Sequence, residues 1–159
     1  QMNKALDYIE IGKRDGAKLV YGGYRIEEGE LAKGYYVCPT IFDEVSASMT
    51  IAQEEIFGPV LCVMPFEDEK EAIEIANSTP YGLQSAIWSS DTNRCLRMVN
   101  AIEAGDVWVN TYYLRMSESP YGGIKESGLG TELGLQGIEE YLVNKRICFD
   151  TTPEFHTRY

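Results

Sequence analysis

The chain is predicted to be an α/β protein with a mostly parallel sheet flanked by helices. Three apolar, strand-like runs, at residues 60–66, 84–88 and 105–109, are separated by two segments with helical character. Strands and helices that alternate at this spacing are typical of βαβ units, in which a helix crosses one face of a parallel sheet. At 159 residues and 44% apolar composition, the chain is long enough to bury a core of ordinary size.

The N-terminal quarter predicts one helix followed by extended segments. Residues 2–14 are predicted to be helical because apolar side chains recur on one face and glycines follow. The apolar positions on this face are Ala5, Leu6 and Ile9. Residues 18–21 are predicted to form a short strand, and the polar residues 24–33 a loop. Residues 35–42 are rich in strand-forming side chains, but Pro39 limits this run to an edge strand or an irregular extended segment.

The middle of the chain carries a clear signal for the start of a helix. Asp68 follows the strand-like run 60–66 and offers an N-cap, and Glu71 three residues later completes a capping box. A helix over residues 69–77 is therefore predicted. Pro80 prevents its extension.

A second helix is predicted between the last two strand-like runs. Asp91 offers an N-cap for a helix that extends to about residue 100. Leu96, Val99 and Ile102 lie on the face predicted to be buried. This helix would connect the strands 84–88 and 105–109 as the crossover of a parallel pair.

The C-terminal part breaks this alternation. Residues 110–130 are rich in Gly, Ser and Tyr and predict a long loop, which in a compact domain usually has a functional role. Residues 133–140 predict a short helix, and 141–150 a last strand. The tail from residue 151 is predicted to be loosely held.

Composition excludes several classes of function. The formal net charge of -11 disfavours binding to the phosphate backbone of nucleic acids. No apolar run approaches the roughly 20 residues that span a bilayer, and the first residues lack the layout of a signal peptide. The chain is therefore expected to be cytoplasmic, with neither nucleic acid nor membrane as a partner.

The cysteine and histidine pattern predicts no metal site. Cys38, Cys62, Cys95 and Cys148 are widely spaced and form no C-x-x-C pair. Buried, reduced thiols in a cytosolic protein are the expected interpretation. His156 is the only histidine, and it cannot support a catalytic triad or a metal site by itself.

An ordered set of short segments resembles the NAD(P)-dependent aldehyde dehydrogenases. The most informative of them is QEEIFGPV at residues 53–60. The other segments are residues 1–9, DGAKLVYGG at 15–23, GYYVCPTIF at 34–42, NSTPYGL at 77–83, GDVWVN at 105–110, PYGGIKESG at 120–128, ELG at 132–134 and EEY at 139–141. The resemblance covers residues 1 to about 150.

The resemblance implies a part of an enzyme. By this likeness the chain is the C-terminal part, with residues 1–130 in the catalytic domain, 131–150 as an oligomerisation arm and 151–159 as a tail. The family oxidises small-molecule aldehydes to acids with NAD or NADP through a thiohemiacetal on a cysteine. That nucleophile and the general-base glutamate are expected upstream of this chain, so no catalytic residue is assigned here. A homo-oligomer, either a dimer or a tetramer, is expected through the strand at 141–150.

The resemblance also implies four cofactor-binding residues. Glu55 matches a glutamate that binds the ribose hydroxyls of the nicotinamide half, and Phe57 an aromatic residue packed beside that ribose. Gln1 and Lys4 match residues close to the cofactor. From local sequence alone, the other interpretations are a solvated glutamate, a core phenylalanine and a solvated lysine.

Four residues of the long loop are implied to face the aldehyde: Tyr113, Leu114, Arg115 and Tyr121. An arginine in a substrate tunnel would favour an aldehyde that bears a carboxylate or another anion. The alternative is an exposed Arg115 paired with Glu118.

Three functions remain open from the sequence. The chain is a piece of an aldehyde-oxidising enzyme, a truncated interaction module that pairs through its last strand, or a family member with a non-oxidative or structural role. Because Gln1 itself fits the family pattern, a cut within a longer natural chain is the expected origin.

Overall fold

The fold is described from a computed structural model that covers residues 1–151. In chain order its elements are α1 (Met2–Arg14), β1 (Lys18–Tyr21), a 3₁₀ helix (Gly29–Lys33), β2 (Thr40–Asp43), α2 (Thr50–Gln53), β3 (Val60–Cys62), α3 (Glu69–Asn77), β4 (Tyr81–Gly82), β5 (Gln84–Ile87), α4 (Thr92–Ala101), β6 (Asp106–Val109), β7 (Ile124–Lys125) and α5 (Gly134–Glu139). The predicted α/β class is confirmed. The predicted tail beyond residue 151 and His156 lie outside the described residues.

The sheets are smaller and more mixed than predicted. β1 pairs antiparallel with β2, and β2 pairs parallel with β3. β5 and β6 form a separate parallel pair joined by the crossover helix α4, as predicted. β4 and β7 form a third, antiparallel sheet. The strands therefore form three small, mixed sheets and not one, because the strand at 60–62 pairs with β2 and not with β5.

Two predicted strands are shorter than their apolar runs. Of the run 35–42, only residues 40–42 belong to a strand, as part of β2, although an isolated bridge joins Arg25 to Val37. Pro39 lacks a backbone N–H and lies directly before the residue at which the strand begins, as expected. The run at 60–66 pairs only over residues 60–62, the length along which β2 lies beside it.

Both predicted N-caps are present. The Asp68 carboxylate accepts a hydrogen bond from the Glu71 N–H at 2.9 Å, and Asp91 accepts one from the Arg94 N–H at 3.1 Å. The Glu71 carboxylate accepts from the N–H of Glu67, one residue before the cap. These bonds satisfy N–H groups that have no partner inside the helix.

An ion-pair cluster joins α3 to α4. The Glu69 carboxylate accepts from Arg97 at 2.7 Å and from Arg94 at 3.3 Å. The hydrogen bond from Arg97 is the main cause that holds the pKa of Glu69 below its ordinary value. One face prediction for α4 was wrong: Cys95 is buried, whereas Leu96 is 58% exposed. Val99 and Ile102 are half-buried as predicted, so the prediction fails only at Leu96.

The main core lies between α1, β2 and α2. Phe42 and Ile9 are fully buried at its centre, and Ala5 and Ile51 pack beside them. The predicted apolar face of α1 is confirmed at Ala5 and Ile9, whereas Leu6 is only half-buried. This core holds the first helix against the segment that follows α2.

The long loop and the short helix of the C-terminal part are present, but the last predicted strand is not. Residues 142–150 form no strand in this chain. Their apolar side chains are exposed, as at Val143 (95%) and Phe149 (85%). A β-strand needs a neighbour for its N–H and C=O groups, and no described strand lies beside this run to accept it.

Candidate functional site

The first helix anchors the segment that follows α2. The Gln1 side chain donates to the carbonyls of Ile56 at 2.9 Å and Phe57 at 2.6 Å. Lys4 Nζ donates to the carbonyl of Glu55 at 3.0 Å. The structure thus brings all four predicted cofactor-binding residues to one segment, with Gln1 and Lys4 acting on its backbone.

A third contact from α1 holds the same segment. The Tyr8 hydroxyl donates to the Glu54 carboxylate at 2.6 Å, and this bond is the main cause that raises the pKa of Tyr8. Residues 1, 4 and 8 are spaced by three and four positions and share one side of the helix. The adjacent stripe, with Ala5 and Ile9, enters the core. Sequence reasoning missed Tyr8, although this spacing could have indicated it.

Anchoring the backbone leaves two side chains exposed. Ile56 is buried and fixes the middle of the segment, whereas Phe57 is 75% exposed with a positive φ of 53°. The core-phenylalanine interpretation of Phe57 was therefore wrong. The Glu55 carboxylate is exposed and accepts no hydrogen bond from residues 1–151. A non-glycine residue at positive φ is strained, and such strain is often found at functional sites.

These two side chains face different cavities. Phe57 lines a groove together with Gln1, Tyr35 and Tyr36. Glu55 lines a second cavity, formed with Thr79, Tyr81, Leu83, Glu103 and Ser127 among others. A ligand that contacts both residues would therefore have to extend around the 55–57 segment.

The predicted substrate-facing residues form one cluster on the long loop. The guanidinium carbon of Arg115 lies 4.1 Å from the centre of the Tyr121 ring and 4.6 Å from that of Tyr113. Leu114, Arg115 and Tyr121 line a shared cavity. Arg115 and Glu118 form no ion pair within 4.0 Å in the described part of the chain, so the alternative pairing is not observed.

Two residues that sequence reasoning missed hold this loop in place. Trp108 donates from Nε1 to the carbonyl of Leu114 at 3.0 Å, and its ring packs edge-on against Tyr112. Asn110, at a φ of 54°, bonds through its side chain to both the N–H and the carbonyl of Ser89. The high proportion of aromatic residues at positions 108–113 is the sequence feature that could have indicated these anchors.

The two groups of candidate residues lie on neighbouring cavities. Leu83 and Ser127 line the cavity that contains Glu55, and they also line one that contains Tyr121. The turn before β5 and the loop after β7 therefore separate the Glu55 carboxylate from the Tyr121 ring.

None of the four cysteines has the surroundings of a nucleophile. Cys38 and Cys95 are buried, and burial raises the pKa of the half-buried Cys62 thiol. A nucleophilic cysteine needs a lowered pKa, which cations or a helix N-terminus provide. Cys148 is exposed, in a segment that forms no helix or strand. Residues 1–151 contain no group of His, Cys, Asp and Glu that could hold a metal ion. Over the same residues, no helix has the length and apolar character needed to cross a membrane.

Comparison with known proteins identifies the relationship. The model of the aldehyde dehydrogenase family matches residues 1–147. The chain is 46% identical over 150 residues to the betaine aldehyde dehydrogenase of Bacillus subtilis (strain 168), covering 94% of this chain and 31% of that protein. It is 49% identical over 154 residues to the chloroplastic betaine aldehyde dehydrogenase of Amaranthus hypochondriacus, covering 97% and 30%.

Solved structures of aldehyde dehydrogenases are also similar to this chain. A betaine aldehyde dehydrogenase from Staphylococcus aureus, in complex with NAD+, superimposes with a TM-score of 0.94 at 42% identity, over 97% of this chain and 30% of that one. An indole-3-acetaldehyde dehydrogenase from P. syringae, in complex with NAD+ and IAA, gives 0.84 at 48% identity, over 89% and 28%.

The chain thus spans just under a third of the length of these relatives. The matched shares do not fix its position within them, so its placement in their C-terminal part stays a prediction. The family itself is shown by a match that covers nearly the whole chain. The chain belongs to the aldehyde dehydrogenase family.

Proposed function

We propose that the chain is one segment of an NAD-dependent enzyme that oxidises a small aldehyde to a carboxylic acid. The observation that carries the proposal is the anchoring of residues 54–57. Gln1, Lys4 and Tyr8 hold the backbone and the neighbouring Glu54, and leave the Glu55 carboxylate and the Phe57 ring exposed. Side chains fixed in this way are preorganised to meet a ligand rather than to stabilise the fold.

The exposed groups fit the nicotinamide half of the cofactor. A carboxylate without a protein partner can accept hydrogen bonds from both hydroxyls of a ribose, and an exposed ring beside it offers an apolar face. NAD, when bound, supplies the acceptor for the hydride that leaves the aldehyde carbon. The NAD+ complexes of the two solved relatives support NAD over NADP. Glu55 and Phe57 would orient the ring, while Gln1 and Lys4 would hold the segment rigid.

The nucleophile and the general base are proposed to lie in the remainder of the protein. The burial of Cys38 and Cys95 supports this assignment, as does the raised pKa of the half-buried Cys62 thiol. The loop with Tyr113, Leu114, Arg115 and Tyr121 would position the aldehyde. Its anchors, Trp108 and Asn110, would keep those side chains in place during turnover.

The first prediction compares the chain alone with the intact protein. We expect the intact protein to form NADH when an aldehyde is added, and the 159-residue chain alone to form none. The measurement is NADH absorbance with a panel of aldehydes, at equal molar concentrations of the two proteins. Aldehyde-dependent NADH formation by the pure chain would contradict the location of the nucleophile outside it.

The second prediction tests Glu55 in the intact protein. Glu55→Gln keeps the shape of the side chain and removes the charge that strengthens two ribose hydrogen bonds. Because a hydrogen bond to a charged group contributes about 1.5–3 kcal/mol, we expect kcat/KM for NAD to fall by about 10- to 100-fold. Steady-state kinetics with varied NAD measure this effect.

The control for Glu55 is an exposed glutamate outside the cluster. Glu27→Gln removes the same charge from the loop before the 3₁₀ helix and is expected to leave kcat/KM for NAD unchanged. Equal kinetics for Glu55→Gln and Glu27→Gln would show that Glu55 is only a solvated side chain.

A second candidate function is an oligomerisation module. The observation that favours it is the exposed apolar run at residues 141–149, which includes Tyr141, Val143 and Phe149 at 85–95% exposure. An unpaired run of this kind can add to the edge of another sheet. In the enzyme, the same run would join copies of the protein into a homo-oligomer. If the chain acts only as a module, it associates with itself or with full-length subunits, and the protein has no aldehyde-oxidising activity.

A further inference from the structure

Arg115 lies over two tyrosine rings and has no anionic partner among residues 1–151. Its guanidinium carbon lies 4.1 Å and 4.6 Å from the ring centres of Tyr121 and Tyr113. No carboxylate of residues 1–151 lies within 4.0 Å of it. A planar guanidinium that stacks on rings uses its faces and leaves the N–H groups on its edges free to donate. The side chain is therefore oriented to bind a planar anion.

Neighbouring residues fix the surroundings of Arg115. Trp108 bonds to the carbonyl of Leu114, the residue before Arg115. About half of the wall of the cavity that Arg115 lines is apolar, with Met116, Pro120 and Leu133 among the apolar residues. Asp106 is the one acidic residue that lines it, and it forms no ion pair with Arg115 within 4.0 Å. An apolar wall strengthens the attraction between a fixed cation and an anion that enters the cavity.

We propose that Arg115 makes this cavity select an aldehyde whose far end carries a carboxylate or a similar planar anion. This inference rests on the proposed function and specifies its substrate class. Aromatic faces are the usual means by which proteins bind quaternary ammonium groups. In this chain the Arg115 cation already covers the faces of Tyr113 and Tyr121, so a second cation is both repelled and displaced. The cavity thus differs in charge preference from one that admits a trimethylammonium aldehyde such as betaine aldehyde.

The test measures binding without catalysis, in the intact protein. Butyrate and choline serve as probes because they carry a carboxylate and a trimethylammonium group and contain no aldehyde. Isothermal titration calorimetry compares the wild type with Arg115→Met and Arg115→Gln. We expect the Kd of butyrate to rise at least tenfold in both variants, as loss of a charge-assisted hydrogen bond implies. We expect the Kd of choline to fall several-fold, because the tyrosine faces are released.

Two further variants separate charge from shape and from general effects. Arg115→Lys keeps the charge but loses the planar fork, so butyrate should bind with a Kd between those of the wild type and Arg115→Met. Arg14→Met removes an exposed arginine from the end of α1, outside the cavity, and should match the wild type for both probes. A Kd ratio of butyrate to choline that does not change on substitution of Arg115 would overturn the proposal, as would tighter binding of choline than of butyrate by the wild type.

The kinetic measurement distinguishes failure of this inference from failure of the proposed function. Three aldehydes of equal chain length carry a carboxylate, a methyl or a trimethylammonium group at the far end. Arg115→Met should lower kcat/KM at least tenfold for the first and leave the second within about threefold. If no aldehyde is oxidised, the enzymatic function fails, while the butyrate-to-choline ratio still decides the role of Arg115.

Discussion

Gly105→Ala is expected to destabilise the half of the molecule that carries the substrate loop, by about 3 kcal/mol or more. A Cβ atom at this position would lie 1.7 Å from the carbonyl oxygen of Gly122 and 3.3 Å from that of Leu83. Both are backbone atoms, so no rotamer change relieves the overlap. The main chain before β6 must move away from the loop that contains Tyr121. Urea denaturation of the 159-residue chain measures the change in the free energy of unfolding.

Gly128→Ala is the matched control for this substitution. A Cβ atom at Gly128 meets no atom within 4 Å, and its backbone does not occupy the positive-φ region. The same chemical change should therefore alter the free energy of unfolding by no more than about 0.5 kcal/mol. If the two variants unfold at the same urea concentration, the close approach of residues 105 and 122 does not exist in solution.

The close approach at Gly105 also has a functional consequence. Tyr121 precedes Gly122, and the Arg115 guanidinium lies over its ring. Moving this loop by the ångström or more that a methyl group requires would open the stack. In the intact protein, Gly105→Ala should therefore weaken butyrate binding as well as stability, whereas Gly128→Ala should change neither.

Phe42→Ala is expected to cost about 3–5 kcal/mol of stability, the usual range for removing a buried aromatic side chain. Phe42 is fully buried, and the position of a Cβ at Gly12 lies only 3.1 Å from its ring, so α1 packs directly against it. The cavity left by truncation cannot be closed by Ile9 or Ile51 without moving the helix. Thermal and urea unfolding of the chain both measure this loss.

Phe66→Ala provides the comparison for Phe42. Phe66 is 61% exposed, so the same truncation should cost less than about 1 kcal/mol. Because Phe42 supports α1, its loss should also weaken the hydrogen bonds from Gln1 and Lys4 to residues 55–57. Retention of full stability in Phe42→Ala would show that the core does not lie between α1 and β2.

The helices and their starts could be predicted because their signals are local. Asp68 and Asp91 precede apolar periodic segments, and each accepts the predicted hydrogen bond from an N–H three residues later. Gln1 and Lys4 were named from a resemblance, and the structure gives them a physical role as anchors of the backbone at residues 55–57. Their function as cofactor-binding residues stays a prediction.

Strand pairing and side-chain stacking could not be predicted, because they depend on residues far apart in the chain. The run at 60–66 has the composition of a central strand, yet only 60–62 pair, since that is where β2 ends beside it. Arg115 was expected either to face a substrate or to pair with Glu118. No ion pair with Glu118 forms among residues 1–151, and the guanidinium lies over the rings of Tyr113 and Tyr121, while its contact with a substrate stays a prediction.

The sequence by itself determined the α/β class, the limits of the main helices and the family, because caps, periodicity and ordered motifs are properties of neighbouring residues. Only the tertiary structure decided that Phe57 is exposed, that Glu55 and Tyr121 lie on adjoining cavities and that Arg115 covers two aromatic faces. The run 141–150 shows the difference between what the sequence predicts and what the tertiary structure decides. Its apolar residues predict a strand, but a strand forms only beside another strand, and no described strand lies next to residues 142–149.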